Sequence, residues 1–202
     1  MNRRLLILLA TLGILLAATL ALILSYQGRE QQRAPLKPAP AILLRLLRQA
    51  EQLRAGGKYQ EAERRLQQLI KFEPDYPRAL LQLGVLYFEQ ERYRESELLF
   101  RNLISRNRFN PILYNNLGQT LVRQHNYPAG IRALLRAREL APEMEIISLN
   151  LAAAYEAAGD EENAGKYFNE FNAIRLRHQE RAGATQVQTI PADAGEKNRE
   201  QD

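Results

Sequence analysis

The sequence predicts an all-α protein: an N-terminal transmembrane helix followed by an α-solenoid of four helix-turn-helix repeats. Three observations predict it. The stretch 111–144, PILYNNLGQTLVRQHNYPAGIRALLRARELAPEM, recurs at a spacing of 34 residues, backwards to 77–110 and 43–76 and forwards to 145–178. Small residues fall at the same two places in every copy. Residues Leu5 to Ser25 carry no charge. A period of this length bounds the architecture, because one such unit cannot bury its apolar face alone and must stack on its neighbours.

Composition narrows the function. The 202 residues are 46% hydrophobic and 7% aromatic, enough for a packed core but poor in large rings. With no cysteine there is no disulfide, thiolate metal site or thiol nucleophile. The formal charge of +5 divides as +4 over 1–41, +3 over 42–181 and −2 over 182–202. Nowhere does it form the clustered Lys and Arg with interleaved aromatics of a nucleic-acid surface.

The first element, 1–26, reads as a membrane anchor. Arg3 and Arg4 precede 21 uncharged residues, Leu5 to Ser25, which as a helix span roughly 31 Å against a hydrocarbon core of about 30 Å. Tyr26 stands where an interfacial aromatic belongs. The run is longer than the apolar region of a cleaved signal peptide and lacks a good small-x-small site, so the expectation is an uncleaved anchor. Arg29, Arg33 and Lys37 nearly balance the N-terminal basic residues. The short basic tail directly before the apolar run favours a cytoplasmic N-terminus, with the rest exported to the periplasmic side of the inner membrane.

Residues 27–41 form a polar linker with Pro35, Pro38 and Pro40, read as an extended passive spacer. The repeat domain follows over 42–181. Counting each repeat from its own first residue, position 8 is Ala50, Gly84, Gly118 and Ala152, and position 20 is Ala62, Ser96, Gly130 and Ala164. These are where the two helices of a repeat, A and B, cross; a branched side chain there would push the axes beyond the usual 8–10 Å or so. Large residues at position 11 (Leu53, Tyr87, Leu121, Tyr155) and position 24 (Leu66, Phe100, Leu134, Phe168) fill the space between helices. Gly56-Gly57 and Gly159-Asp160 stop helix A in repeats 1 and 4. Pro128 suits a first helical turn, and Pro74 and Pro142 follow the ends of B helices. Repeat 2 has Arg108 in place of that proline, and Pro111 supplies the break. Helix B of repeat 4 runs to about Arg181, and residues 182–202 are polar and aperiodic, as in a disordered tail.

In these positions residues 43–178 resemble the tetratricopeptide repeat family, and the layout resembles membrane-anchored bacterial members. The resemblance implies that the A helices line a concave groove for protein partners. It places Gln82, Asn116 and Asn150 in a row of carboxamides, beside Asn115 and Gln119, able to pair with the peptide bonds of an extended segment. Leu47, Leu81, Val85, Phe88, Ile112, Val122, Ile146 and Leu149 add apolar contact, and Arg78 and Arg123 add charge. The family's two-carboxylate clamp for acidic C-terminal tails needs Lys and Asn at positions 5 and 9 of one repeat. Leu47/Glu51, Leu81/Val85, Asn115/Gln119 and Leu149/Ala153 do not match it.

A second surface is expected at the end of the array. Phe168, Phe171 and Ile174 recur at i, i+3 and i+6, and no further repeat follows to cover them. They form a candidate self-association face. Nothing resembles an active site: His125 and His178 are far apart in sequence and lack ligand partners at helical spacing, and Ala55-Gly56-Gly57-Lys58 lacks the spacing of a phosphate loop. Glu161-Glu162 opens a helix, where acids favour the dipole. The expectation is a non-enzymatic, membrane-anchored adaptor without cofactor, metal or nucleic-acid partner, gripping peptide segments in its groove during assembly of an envelope complex. By resemblance that assembly includes cytochrome c maturation and pilus or secretion machinery. The alternative is a structural protein that self-associates through the end face.

Overall fold

The computed structural model describes residues 16–24 and 39–188, with side chains to residue 182. It divides into two compact units, Met1–Leu44 and Arg45–Asp202. In the first unit residues 16–24 are helical, and Leu16, Leu20, Leu22, Ile23 and Leu24 are exposed. Residues 1–15 and 25–26 of the expected anchor, 27–38 of the linker and 189–202 of the tail lie outside the described residues. Among the described residues no helix is long and apolar enough to cross a membrane.

Eight helices follow: α1 Pro40–Ala55, α2 Tyr59–Phe72, α3 Pro77–Glu89, α4 Tyr93–Arg106, α5 Pro111–Arg123, α6 Tyr127–Leu140, α7 Glu145–Ala157 and α8 Glu161–Gln188. They pair as A and B helices of four successive repeats. Two boundaries differ from expectation. Pro40 and Ala41 are the start of α1 rather than linker, because proline is tolerated in a first helical turn. The last helix runs past Arg181 to Gln188, so its backbone stays helical beyond the end of the apolar periodicity.

The local causes repeat with the sequence. Pro77 and Pro111 open α3 and α5, and Asn110 caps α5 by accepting from Ile112 N at 3.0 Å. Each A–B turn holds one residue in the left-handed region: Gly57 (φ 73°), Glu91 (60°), His125 (62°) and Gly159 (81°). The two glycines adopt this freely; Glu91 and His125 do so against the cost of a Cβ.

The crossing positions are as tight as the small residues imply. A Cβ on Gly118 would come within 2.5 Å of Leu134 Cγ and 3.0 Å of the Gly130 carbonyl, and one on Gly130 within 3.0 Å of the Gly118 carbonyl. Ser96, completely buried, instead donates its hydroxyl to the Gly84 carbonyl at 2.9 Å. Between repeats, Phe100 and Leu103 of α4 pack on Leu113 and Leu117 of α5. Leu134 and Ala137 of α6 pack on Ile147 and Leu151 of α7 in the same way. Successive A helices pack backbone to backbone, α3 on α5 and α5 on α7, whereas among the described residues the backbones of successive B helices stay further apart and α6 reaches α8 through the Arg138 and Glu170 side chains. The A layer is therefore the shorter arc and forms the concave side of the second unit.

Candidate protein-binding surfaces

The concave surface is built from α3, α5 and α7. A cavity of about 180 Å³ opens there, lined by Val85, Phe88, Glu89, Phe100, Asn116 and Gln119. Phe88 is held edge-on against Tyr93, ring centroids 5.7 Å apart. A wider cleft of about 570 Å³ continues toward repeat 4, where Val122, Arg123, Tyr127, Asn150 and Ala153 contribute. An apolar slot flanked by two carboxamides suits an aliphatic or aromatic side chain whose own backbone needs hydrogen-bond partners.

The expected carboxamide row is only partly free. Asn115 is buried, and its Oδ1 accepts from Asn150 Nδ2 at 2.8 Å, so repeats 3 and 4 spend these two amides on each other. Asn115 is thus a packing residue and not an open groove contact. Gln82 is half-buried, and its Oε1 is buried without a hydrogen-bond partner among the described residues. Asn116 and Gln119 remain at the cavity wall. Leu81 and Val85 are half-buried in the core between repeats, and Ile112 and Ile146 are exposed. Leu47 is buried and offers nothing to a ligand. Arg78 pairs with Glu51 at 3.2 Å.

The end of the array is the second surface. Position 24 of a repeat is covered by the next A helix: Leu66 is 1% exposed, Phe100 1% and Leu134 0%, but Phe168 is 50% exposed. Phe171, half-buried, lies beside it with ring centroids 6.1 Å apart. Ile174 does not belong to this face: it is buried. Three residues turn a helix 300°, so two such steps fall about 120° short of alignment and carry Ile174 to the buried side.

Helix α8 is itself well fixed. Asp160 caps it, accepting from Asn163 N at 3.1 Å and from Asn163 Nδ2 at 2.8 Å, and these bonds hold its carboxyl below the usual range. Glu170 Oε1 accepts from Arg138 Nε at 2.7 Å and from Ser148 Oγ at 3.0 Å, tying α8 to α6 and α7. That carboxylate keeps the Arg138 guanidinium above its ordinary value, against the opposing effect of burial. Tyr155 and Tyr167 stack at 5.4 Å, and burial pushes the Tyr155 hydroxyl up. Sequence reasoning missed Glu170, Ser148 and Tyr167; the 34-residue register gave no sign of these contacts.

His125 sits in the α5–α6 turn, and His178 lies within α8. His125 Nδ1 lies 2.9 Å from the Tyr127 hydroxyl, and His178 Nδ1 is 3.7 Å from Glu145. Among the described residues no group of His, Asp and Glu is placed to hold a metal ion.

Two family models, each described as a tetratricopeptide repeat, match residues 53–119 and 115–174. No curated protein matches the chain. Among solved structures, a MamA fragment from Desulfovibrio magneticus RS-1 superposes with a TM-score of 0.61 at 19% identity, covering 65% of this chain and 75% of that one. MamA from MSR-1 gives 0.58 at 21% identity, covering 74% of this chain and 84% of that one. An O-GlcNAc transferase variant from Thermobaculum terrenum gives 0.54 at 28% identity over 57% of this chain, but only 22% of the transferase. The MamA likenesses establish the fold.

Proposed function

Since the chain belongs to the tetratricopeptide repeat family, we propose that it is a non-enzymatic scaffold that holds protein, with the bare end of the array as its principal contact surface. One observation carries this reading: the position-24 side chain is buried in three repeats and half-exposed only at Phe168. Uncovered large apolar groups mark contact surfaces, and fully burying a phenylalanine stabilises by about 1.5–3 kcal/mol. The comparisons support a scaffold over an enzyme in one respect. The array accounts for most of the MamA chains it matches, but for only 22% of the transferase. The test is sedimentation velocity of the full chain in mild detergent across a concentration series. Self-association that Phe168→Glu removes is the expected result; a parent that stays monomeric throughout defeats the reading.

The cavity beside Phe88 favours a second contact, a peptide segment in the groove. Val85 and Phe88 receive an apolar side chain, and Asn116 and Gln119 meet the flanking peptide bonds. Photo-crosslinkers placed at these positions should capture a partner in cells, and Asn116→Ala with Gln119→Ala should abolish that capture while leaving self-association intact. In the same reading residues 5–25 anchor the scaffold in the inner membrane, and the array serves assembly of an envelope complex from the periplasmic side. Cytochrome c maturation and pilus or secretion assembly are the settings that fit. A reporter fused at the C-terminus and active only in the cytoplasm would reverse the orientation.

A further inference from the structure

The two ends of the array differ in chemistry. Where an A helix covers the preceding B helix, position 7 is Leu83, Leu117 and Leu151, all buried, and position 3 is Ala79, Leu113 and Ile147. Helix α1 has Gln49 and Arg45 at these places, and Gln52 follows one turn on. The hollow beside them, about 390 Å³, is edged by Gln49, Gln52, Lys58 and Glu61. Stacking the first repeat of one chain on the last repeat of another would press Arg45 and Gln49 onto Phe168 and Phe171 and strip both of water. The open head-to-tail mode is therefore disfavoured, and a second copy of the α8 face offers Phe168 and Phe171 an apolar match of the same shape and chemistry.

That face has an internal symmetry. Glu161 lies seven residues before Phe168, and Arg175 lies seven after it. Seven residues are nearly two turns, so all three share one side of α8, with each charge about 10.5 Å from the phenylalanine along the axis. Glu161 and Arg175 are both exposed. Ala164 and Gly165 form a small step next to Phe168, and a Cβ on Gly165 would meet nothing within 4 Å. A glycine inside a helix weakens it relative to alanine, and among the described residues no contact requires one here.

Resting on the end-face reading above, we propose that the occupant of this face is α8 of a second copy, laid antiparallel about a twofold axis beside Phe168. In that arrangement the two Phe168 rings meet. Glu161 of each chain faces Arg175 of the other, twice per dimer, and each Phe171 lies over the Ala164–Gly165 step of its partner. A parallel pairing would set Glu161 on Glu161 and Arg175 on Arg175. The contact is self-complementary and closed, as a twofold interface must be. It is also small. The paired stretch from Glu161 to Arg175 is roughly 21 Å long. A strip about 10 Å wide on each chain then buries on the order of 400 Å², below the roughly 1,000 Å² of a stable complex. The dimer forms at micromolar concentration or above, and dissociates on dilution.

Sedimentation equilibrium of the full, detergent-solubilised chain tests the pairing with charge exchanges. Glu161→Arg and Arg175→Glu should each raise the dissociation constant at least tenfold, and the double exchange should restore it to within about threefold. Circular dichroism of each variant checks that α8 remains helical. The chain has no cysteine, so a second measurement is direct. Ala164→Cys mixed with Asn172→Cys should form a disulfide-linked dimer under mild oxidant, and either variant alone should not. If single exchanges leave association unchanged while Phe168→Glu abolishes it, the end-face reading stands and the antiparallel pairing falls. If Phe168→Glu has no effect either, both fall. Equal crosslinking by Ala164→Cys alone overturns the register.

Discussion

At the scale of single residues, the 34-residue period identifies the glycines that matter but not how much each costs to change. Gly130 faces backbone: an added Cβ comes within 3.0 Å of the Gly118 carbonyl and 3.1 Å of Val122 N. For Gly84 the nearest atoms to an added Cβ all belong to the edge of the Phe100 ring, the first at 2.8 Å. Rings tilt more readily than helices separate. Gly130→Ala should therefore destabilise by about 2–3 kcal/mol and Gly84→Ala by about 1 kcal/mol, within the usual range for overpacking, as read by urea denaturation. The left-handed residues run the other way. Glu91 holds φ 60° at the place where repeats 1 and 4 have glycine. That strain costs about 1–2 kcal/mol, partly offset in Glu91→Gly by the freer unfolded chain. The net expectation is a gain of about 0.5–1 kcal/mol, seen as a higher urea midpoint. Neither Glu91 nor His125 announces a turn by its chemistry, so these positions were legible only through their register with Gly57 and Gly159. Asn115 was misread for a related reason. Repeat position showed that it points inward, but not that the Asn150 amide comes across to take its carbonyl.

At the scale of elements, helix order, pairing and crossing points were all legible, because small residues at positions 8 and 20 dictate where A and B helices approach. The ties between neighbouring repeats were not. Residues such as Glu170 look like ordinary charged helix surface in the sequence, and only packing brings Arg138 and Ser148 to one carboxylate oxygen. Arg138 and Glu170 keep 36% and 25% of their side-chain surface exposed, so solvent screens the pair and its worth is well below that of a buried one. Glu170→Ala should cost about 1–2 kcal/mol, mostly from the loss of charge-assisted bonds and the partly buried guanidinium left behind. Glu170→Gln keeps an acceptor for both donors and should recover about half of that in thermal unfolding. The same tie stiffens α8 beneath Phe168, and a rigid platform is what a docking helix requires.

At the scale of the whole repeat unit, each repeat touches only its neighbours, so stability behaves as a sum of repeat terms and interface terms. Repeats 2 and 3 are covered on both sides, whereas among the described residues none covers repeat 4 closely enough to bury Phe168. Amide hydrogen exchange should therefore be slowest in α4 and α5 and faster toward α8 in dilute solution. Pairing through α8 changes that profile in one place. Binding that favours the folded form stabilises by RT ln(1 + [L]/Kd), about 1.4 kcal/mol at tenfold excess over Kd. Amides of α7 and α8 should then exchange about tenfold more slowly at high protein concentration, and those of α2 and α3 should change little. The polar N-terminal end, with Arg45 and Gln49 in place of leucine, is the reason for the asymmetry. A concentration effect spread evenly along the array would mean that copies associate elsewhere, through the groove or the apolar 5–25 stretch. Phe168→Glu would then leave the exchange profile concentration-dependent, whereas contact through α8 predicts that this one change makes it independent of concentration.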